Sequence, residues 1–290
     1  MTWVSCAQAV LMCGLKPVLS DVNLDSMIVT AENISHVISP RTKAIMVVHY
    51  SGLLCDMNPM IDLGLPVIED DAHATDSYYK GRSCGGIGDI GIYSFDAVKN
   101  LTATEVGGIT FRAEDMMQSS KNLSYCSIGK SGFDSAESQS SANWWGYNIS
   151  ERFIKMLPTS LHTAVAIEQL KRLDKLQARR KEVWDFYDNT FKNLSQVIPP
   201  KRANLGDIHG SFTCIQCKDR DGLAEYLLSC EIYKTVKYHP LHLNALYDQM
   251  NHALPNAEVL NKTALSLPLH PRPTDSDVIK TCETLIDFYK

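Results

Sequence analysis

No stretch of this chain approaches the ~18 uninterrupted apolar residues that a bilayer span requires, and its opening residues carry neither a basic cluster nor the apolar run of a signal peptide. Basic stripes are also missing. The 28 basic and 33 acidic residues are interspersed and sum to a net charge of −5, which excludes nucleic acid as a natural partner. The nine cysteines, Cys6, Cys13, Cys55, Cys84, Cys126, Cys214, Cys217, Cys230 and Cys282, are odd in number, scattered, and mostly set in apolar stretches. That usage fits reduced thiols packed as small hydrophobes in a soluble cytoplasmic protein rather than a disulfide framework. Cys214 and Cys217 have CxxC spacing, but no second pair accompanies them, so two thiols on one strand is the better reading and no metal is expected. Internal repeats and low-complexity tracts are absent too.

What is present is a 290-residue chain with 44% hydrophobic content, enough for one large or two modest domains. Short apolar runs alternate with helix-like ones through the first 111 residues. Helices are expected at Val4–Met12 and 32–37, and strands at Pro17-Val18-Leu19, 43–48, 66–68, 90–95 and Gly107–Phe111. Alternation of this kind predicts a mainly parallel sheet covered on both faces. Residues 134–143, rich in Ser, Ala and Gln, read as a surface loop. A long helix is expected from about Pro158-Thr159, carrying Leu161, Val165, Leu170, Leu173, Trp184, Tyr187 and Phe191 at helical spacing. A second unit follows Pro199-Pro200, with a strand at 211–217, a helix at 222–229, a segment at 238–242 and a closing helix at 275–289. The expected organisation is a large domain over 1–165, a linking helix over 166–198 and a small domain over 199–290.

Two strand ends carry the chemistry. Val67-Ile68-Glu69-Asp70-Asp71-Ala72-His73-Ala74 offers a carboxylate and an imidazole after an apolar run. Gly91-Ile92-Tyr93-Ser94-Phe95-Asp96-Ala97-Val98-Lys99 offers a hydroxyl and an amine after another. In an open α/β sheet such ends lie together at the carboxyl edge, where ligands bind. A pyridine aldehyde bearing a phosphate needs this set: an amine to form a Schiff base and move protons (Lys99), and an acid beside the ring nitrogen (Asp70). It also needs a donor near the phenolate oxygen (His73) and a hydroxyl for the phosphate (Ser94). The cofactor suggested is pyridoxal 5′-phosphate.

These segments resemble the DegT/DnrJ/EryC1/StrS aminotransferases, within the fold-type-I aspartate aminotransferase superfamily. That family reads roughly IEDxAHA, GDIGxFSFxxxKNLxxGEGG, PVHYxPLH, LPxAE and LPLHP. The chain carries the counterparts in the same order: Ile68 to Ala74, Gly88 to Gly108, Val236-Lys237-Tyr238-His239-Pro240-Leu241-His242, Leu254-Pro255-Asn256-Ala257-Glu258 and Leu267-Pro268-Leu269-His270-Pro271. The resemblance implies a fold-type-I pyridoxal-phosphate transferase with a mainly parallel central sheet and a smaller C-terminal α+β domain. By position it implies Lys99 as the Schiff-base lysine, Asp70 as the ring-nitrogen partner, His73 beside the phenolate oxygen and Ser94 on the phosphate. Trp3, in Met1-Thr2-Trp3-Val4, matches the aromatic that stacks on the ring. Lys155 matches a residue reaching the phosphate of a partner subunit, so a homodimer is implied, and Lys237, Tyr238 and His239 fall near the substrate.

The implied reaction moves an amino group from L-glutamate to a nucleotide-linked keto-deoxy sugar, and a lysine at position 99 argues against the family's dehydratases. There are departures. The family carries a Ser-Gly-Thr-x-Ala motif upstream of the Trp3 segment, and this sequence starts after that point. Thr104, Val106, Phe153, Pro158 and Lys237 replace family residues. They motivate an alternative expectation, a shortened non-catalytic member surviving as a fold remnant or dimer partner.

Overall fold

In the computed structural model, which describes residues 1–128, 147, 149–250 and 253–290, six short strands are formed in the first part of the chain. They are β1 (Ile45–Val48), β2 (Val67–Asp70), β3 (Tyr78–Tyr79), β4 (Arg82–Ser83), β5 (Ile90–Ser94) and β6 (Gly107–Phe111). Four of them make the central sheet in the order β1-β2-β5-β6. The first three run parallel, and β6 closes the edge antiparallel to β5. Register sets Val48 beside Asp70 and Asp70 beside Ile92, so β1 and β2 end level and β5 runs on two residues to Ser94. That common carboxyl edge is where the loops bearing polar side chains meet.

The helices of this part are α1 (Val4–Met12), whose buried Ala7 packs with Leu241 and Tyr247, α2 (Ala31–Ser35) and α3 (Met57–Ile61), which bury Ile34, Met57 and Met60 in one cluster with Val47 and Val67, and α4 (Glu114–Ser124), which packs on β6. Thr30 starts α2 through a reciprocal capping box with Asn33. Two further helices follow, α5 (Ser160–Leu170) and α6 (Leu173–Phe191). The C-terminal part folds a second antiparallel sheet from β7 (Val197–Ile198), β9 (Thr213–Cys217) and β10 (Ala264–Leu267), ordered β10-β9-β7, while β8 (Gly206–Asp207) joins β3 and β4. The remaining helices are α7 (Arg220–Ser229), α8 (Pro255–Thr263) and α9 (Asp275–Phe288). α9 packs on α7 and α6 and opens on a capping box between Thr274 and Asp277. One continuous buried cluster runs from Val47 and Val67 through Trp184 and Tyr187 to Ile215, Leu265 and Leu285, so both sheets share an interior.

Most expected elements form within a residue or two of the positions read from the sequence. Three expectations need correction. Pro17-Val18-Leu19 is extended but joins no ladder among the described residues, and Val18 is exposed. The long helix starts on Thr159, whose hydroxyl caps the His162 N–H, but it breaks at Lys171-Arg172 into α5 and α6. α6 buries Leu173, Gln177, Arg180, Val183, Trp184, Tyr187 and Phe191 at steps of three and four, whereas α5 buries nothing. A straight rod would carry one stripe through both halves. Strand β10, buried along its whole length, was not anticipated because it follows α8 without a turn signal. The expected loop at 134–143 lies outside the described residues. Cys214 and Cys217 do share strand β9 as free thiols, and a spacing of three puts them on opposite faces.

Candidate active site at the sheet edge

Asp70 closes β2 and is only 9% exposed. Its Oδ1 accepts the Ala72 N–H at 3.0 Å, and its Oδ2 accepts the Cys6 thiol at 2.9 Å. His73, on the turn that follows, is hydrogen-bonded through Nε2 to the Tyr238 hydroxyl at 3.0 Å, and the two rings stack with centroids 5.9 Å apart. Phe212 meets the imidazole edge-on at 5.0 Å. Burial, together with the Lys99 and Lys237 charges, pushes the His73 pKa well below the usual histidine range, so the ring is neutral at pH 7. Its buried Nδ1 has no hydrogen-bond partner among the described residues. Trp3, just before α1, lies 5.1 Å from the Tyr238 ring and leaves more than half its surface open.

Lys99 sits on the turn after β5, where its N–H reaches the Asp96 carbonyl at 3.0 Å. Burial lowers its pKa, opposed by the Asp70 and Asp96 charges. Lys237 is lowered as well, by burial and by Lys99, and its Nζ lies 4.3 Å over the Phe212 ring. Asn100, which follows Lys99, is buried and donates through Nδ2 to the His209 carbonyl at 2.9 Å, tying the Lys99 turn to the segment beside β9. Gly52 lets these segments approach: a Cβ there would meet Gly210 Cα at 2.7 Å and the His73 carbonyl at 3.0 Å, on a backbone with φ +89.

Of the residues anticipated, Trp3, Asp70, His73, Lys99, Lys237 and Tyr238 therefore converge. Ser94 ends β5, and its Oγ accepts the Asp96 N–H at 3.4 Å. His239 is exposed. Lys155 pairs by a backbone bridge with Tyr125 and lies 5.4 Å over that ring. Cys6, Asn100 and Phe212 were not anticipated. Cys6 and Phe212 reach the strand ends from segments remote in sequence, whereas Asn100 follows Lys99 and acts through a backbone carbonyl at His209.

Behind Asp70 the same strand builds a sealed acidic chamber. Glu69 accepts the N–H groups of Gly85, Ile87 and Gly88. His49 Nδ1 accepts the Cys55 N–H at 3.1 Å, so Nε2 carries a proton and stands 3.4 Å from Glu69 and 3.7 Å from Asp71. Neither oxygen of Asp71 has a hydrogen-bond partner among the described residues. Burial, reinforced by the Glu69 and Asp70 charges against the opposing pull of His49, pushes its carboxyl up to about 8. Asp71 is thus mostly protonated at neutral pH. His49, Asp71 and Cys84 offer donor atoms within 4.8 Å of one another. A cation bound to His49 would need the Nε2 lone pair, which the Cys55 contact leaves protonated.

The open edge fits a pyridine aldehyde. It brings a lysine with a loosened proton, a strand-end carboxylate, an imidazole with a buried nitrogen unpartnered, and the exposed face of Trp3 to one place. Comparison with known proteins agrees. The DegT/DnrJ/EryC1/StrS aminotransferase family model matches residues 1–286. The spore coat polysaccharide biosynthesis protein SpsC of Bacillus subtilis is 30% identical over 305 residues, covering 100% of this chain and 78% of its own. The dTDP-4-dehydro-2,3,6-trideoxy-D-glucose 4-aminotransferase of Saccharopolyspora spinosa is 31% identical over 287 residues, covering 96% and 74%. Among solved structures, the aminotransferase TlmJ of Streptoalloteichus hindustanus superposes with a TM-score of 0.90 at 29% identity, covering 99% of this chain and 77% of its own. With strand-end chemistry, fold and sequence in agreement, the chain belongs to the DegT/DnrJ/EryC1/StrS family as a fold-type-I, pyridoxal 5′-phosphate-dependent aminotransferase.

Proposed function

We propose that this aminotransferase moves an amino group from L-glutamate to the ketone carbon of a nucleotide-linked keto-deoxy sugar. The observation that carries the reading is the convergence of Lys99 and Asp70 from neighbouring parallel strands, with burial loosening the lysine's proton. The names of the relatives from Bacillus subtilis and Saccharopolyspora spinosa support the sugar. When bound, pyridoxal 5′-phosphate supplies an aldehyde that accepts amines and a protonated ring that withdraws electrons.

The chain's residues do the rest. Lys99 Nζ would hold the aldehyde and, as a free amine, would carry the proton taken from the donor's Cα. A lowered pKa raises the fraction of neutral amine available for that step. Asp70 holds the ring nitrogen's proton, His73 addresses the phenolate oxygen, and Trp3 covers the ring face. Ser94 binds the phosphate, while Lys237, Tyr238 and His239 line the substrate's approach. This retained set favours catalysis over the non-catalytic alternative.

The active unit is a homodimer in the same proposal. α5 and the segment before it expose Leu161, Val165, Ile167 and Leu170 together with Phe153, Ile154, Met156 and Leu157. An exposed apolar series of this kind marks a contact surface, and Lys155 lies within it, consistent with the proposed reach to the partner's phosphate. The protein is expected to sediment as a dimer, and Leu161→Glu combined with Val165→Glu is expected to give a monomer that binds the cofactor about tenfold more weakly. A wild type that sediments as a monomer at micromolar concentration removes this part.

The reaction itself is tested by offering the enzyme L-glutamate and a panel of nucleotide-linked keto-sugars. Release of 2-oxoglutarate and appearance of an amino-sugar nucleotide are expected. Release of 2-oxoglutarate with no amination of any sugar nucleotide overturns the acceptor, and inertness toward glutamate overturns the donor.

A further inference from the structure

Cys6 lies on α1 within one turn of Trp3, and nothing in the chemistry above uses it. Its thiol donates to Asp70 Oδ2 at 2.9 Å and accepts the Thr2 hydroxyl at 3.1 Å. Oδ1 of the same carboxylate takes the Ala72 N–H at 3.0 Å. The terminal torsion of an aspartate is broad, so a single donor at Oδ1 leaves the carboxylate free to swing about that contact. Donors on both oxygens fix its plane. An ionised carboxylate has about four lone-pair sites, so each oxygen still keeps one for a further donor.

We propose that Cys6 is a positioning residue whose thiol locks the plane of the Asp70 carboxylate and so presents it to the ring nitrogen of the cofactor. This rests on the proposal that Asp70 is the partner of that nitrogen. The thiol is suited to the task. Burial, reinforced by the Asp70 charge, pushes its pKa up to about 12, so it remains a protonated donor and a poor nucleophile at neutral pH. A ring held by Asp70 would shield the thiol bonded to that carboxylate.

The test uses the full chain. Cofactor affinity is measured by titrating pyridoxal 5′-phosphate into wild type, Cys6→Ala and Cys6→Ser, with thermal melts of the cofactor-free proteins to confirm folding. Cys6→Ala is expected to bind about tenfold more weakly, and Cys6→Ser, which restores a donor, within about threefold of wild type. In unmutated protein, alkylation at alkaline pH, where a thiol of raised pKa gains reactivity, is followed thiol by thiol by mass spectrometry. The cofactor is expected to slow reaction at Cys6 at least about tenfold while leaving the exposed Cys13 unchanged. Unaltered affinity in Cys6→Ala, failure of Cys6→Ser to recover, or unprotected Cys6 overturns the assignment. If wild type binds normally but Asp70→Ala does too, the role of Asp70 falls first and that of Cys6 falls with it.

Discussion

Lys99→Ala is expected to lower the transamination rate at least about a thousandfold, because one amine both holds the aldehyde and moves the substrate proton. Each loss of about 1.4 kcal/mol in transition-state stabilisation is a factor of ten, and removing the proton carrier alone accounts for two to four such factors by the usual size of general acid–base effects. The same variant is expected to lose the absorbance band that borohydride fixes covalently onto the protein. The neighbouring amine makes this a demanding test. Lys237 is also half-buried, with its proton loosened by burial and by Lys99. Peptide mapping of the borohydride-treated wild type must therefore find the cofactor on Lys99. A label on Lys237, or a Lys99→Ala protein retaining a tenth of the rate, removes Lys99 from its role. A wild type that forms no band at all would restore the non-catalytic alternative.

The second large effect is at Asp70. Asp70→Ala is expected to cost about a hundredfold to a thousandfold in rate and about tenfold to a hundredfold in cofactor affinity, the size of a lost charge-assisted hydrogen bond. A further readout separates this from general damage. The Asp70 and Asp96 charges raise the Lys99 pKa against the lowering effect of burial. Removing Asp70 takes away a raising influence, so the limb of the pH–rate profile governed by Lys99 moves to lower pH. A variant with reduced rate but an unmoved profile would mean that Asp70 and Lys99 do not share one site.

The strand ends were legible in the sequence because the information is local. An apolar run followed by polar residues marks the carboxyl edge of a parallel strand, and that pattern located Asp70, His73, Ser94 and Lys99 without reference to the rest of the chain. The hydrogen bond from His73 to Tyr238 and that from Cys6 to Asp70 were not legible, since each joins segments that meet only after the sheet is built. Asn100 is a similar case. Its neighbour carries the chemistry, but its own partner is a carbonyl at His209, and a backbone acceptor leaves no trace in composition. The chamber around Asp71 was hidden for the opposite reason. Glu69, Asp70 and Asp71 read as one acidic run, yet alternation sends Glu69 and Asp71 into the chamber around His49 and Asp70 to the open edge. The break between α5 and α6 escaped because helical spacing continues across it and only the direction of burial changes.

That change of direction bears on how substitutions in α5 are to be read. Its apolar side chains contribute nothing to the protomer's own interior, so the chain can fold without them, and trimming any one should scarcely move a melting temperature measured at high dilution. In the proposed dimer, their replacement weakens self-association rather than folding. Tolerance to mutation along this helix, scored separately for soluble yield and for turnover, distinguishes selection on self-association from selection on folding.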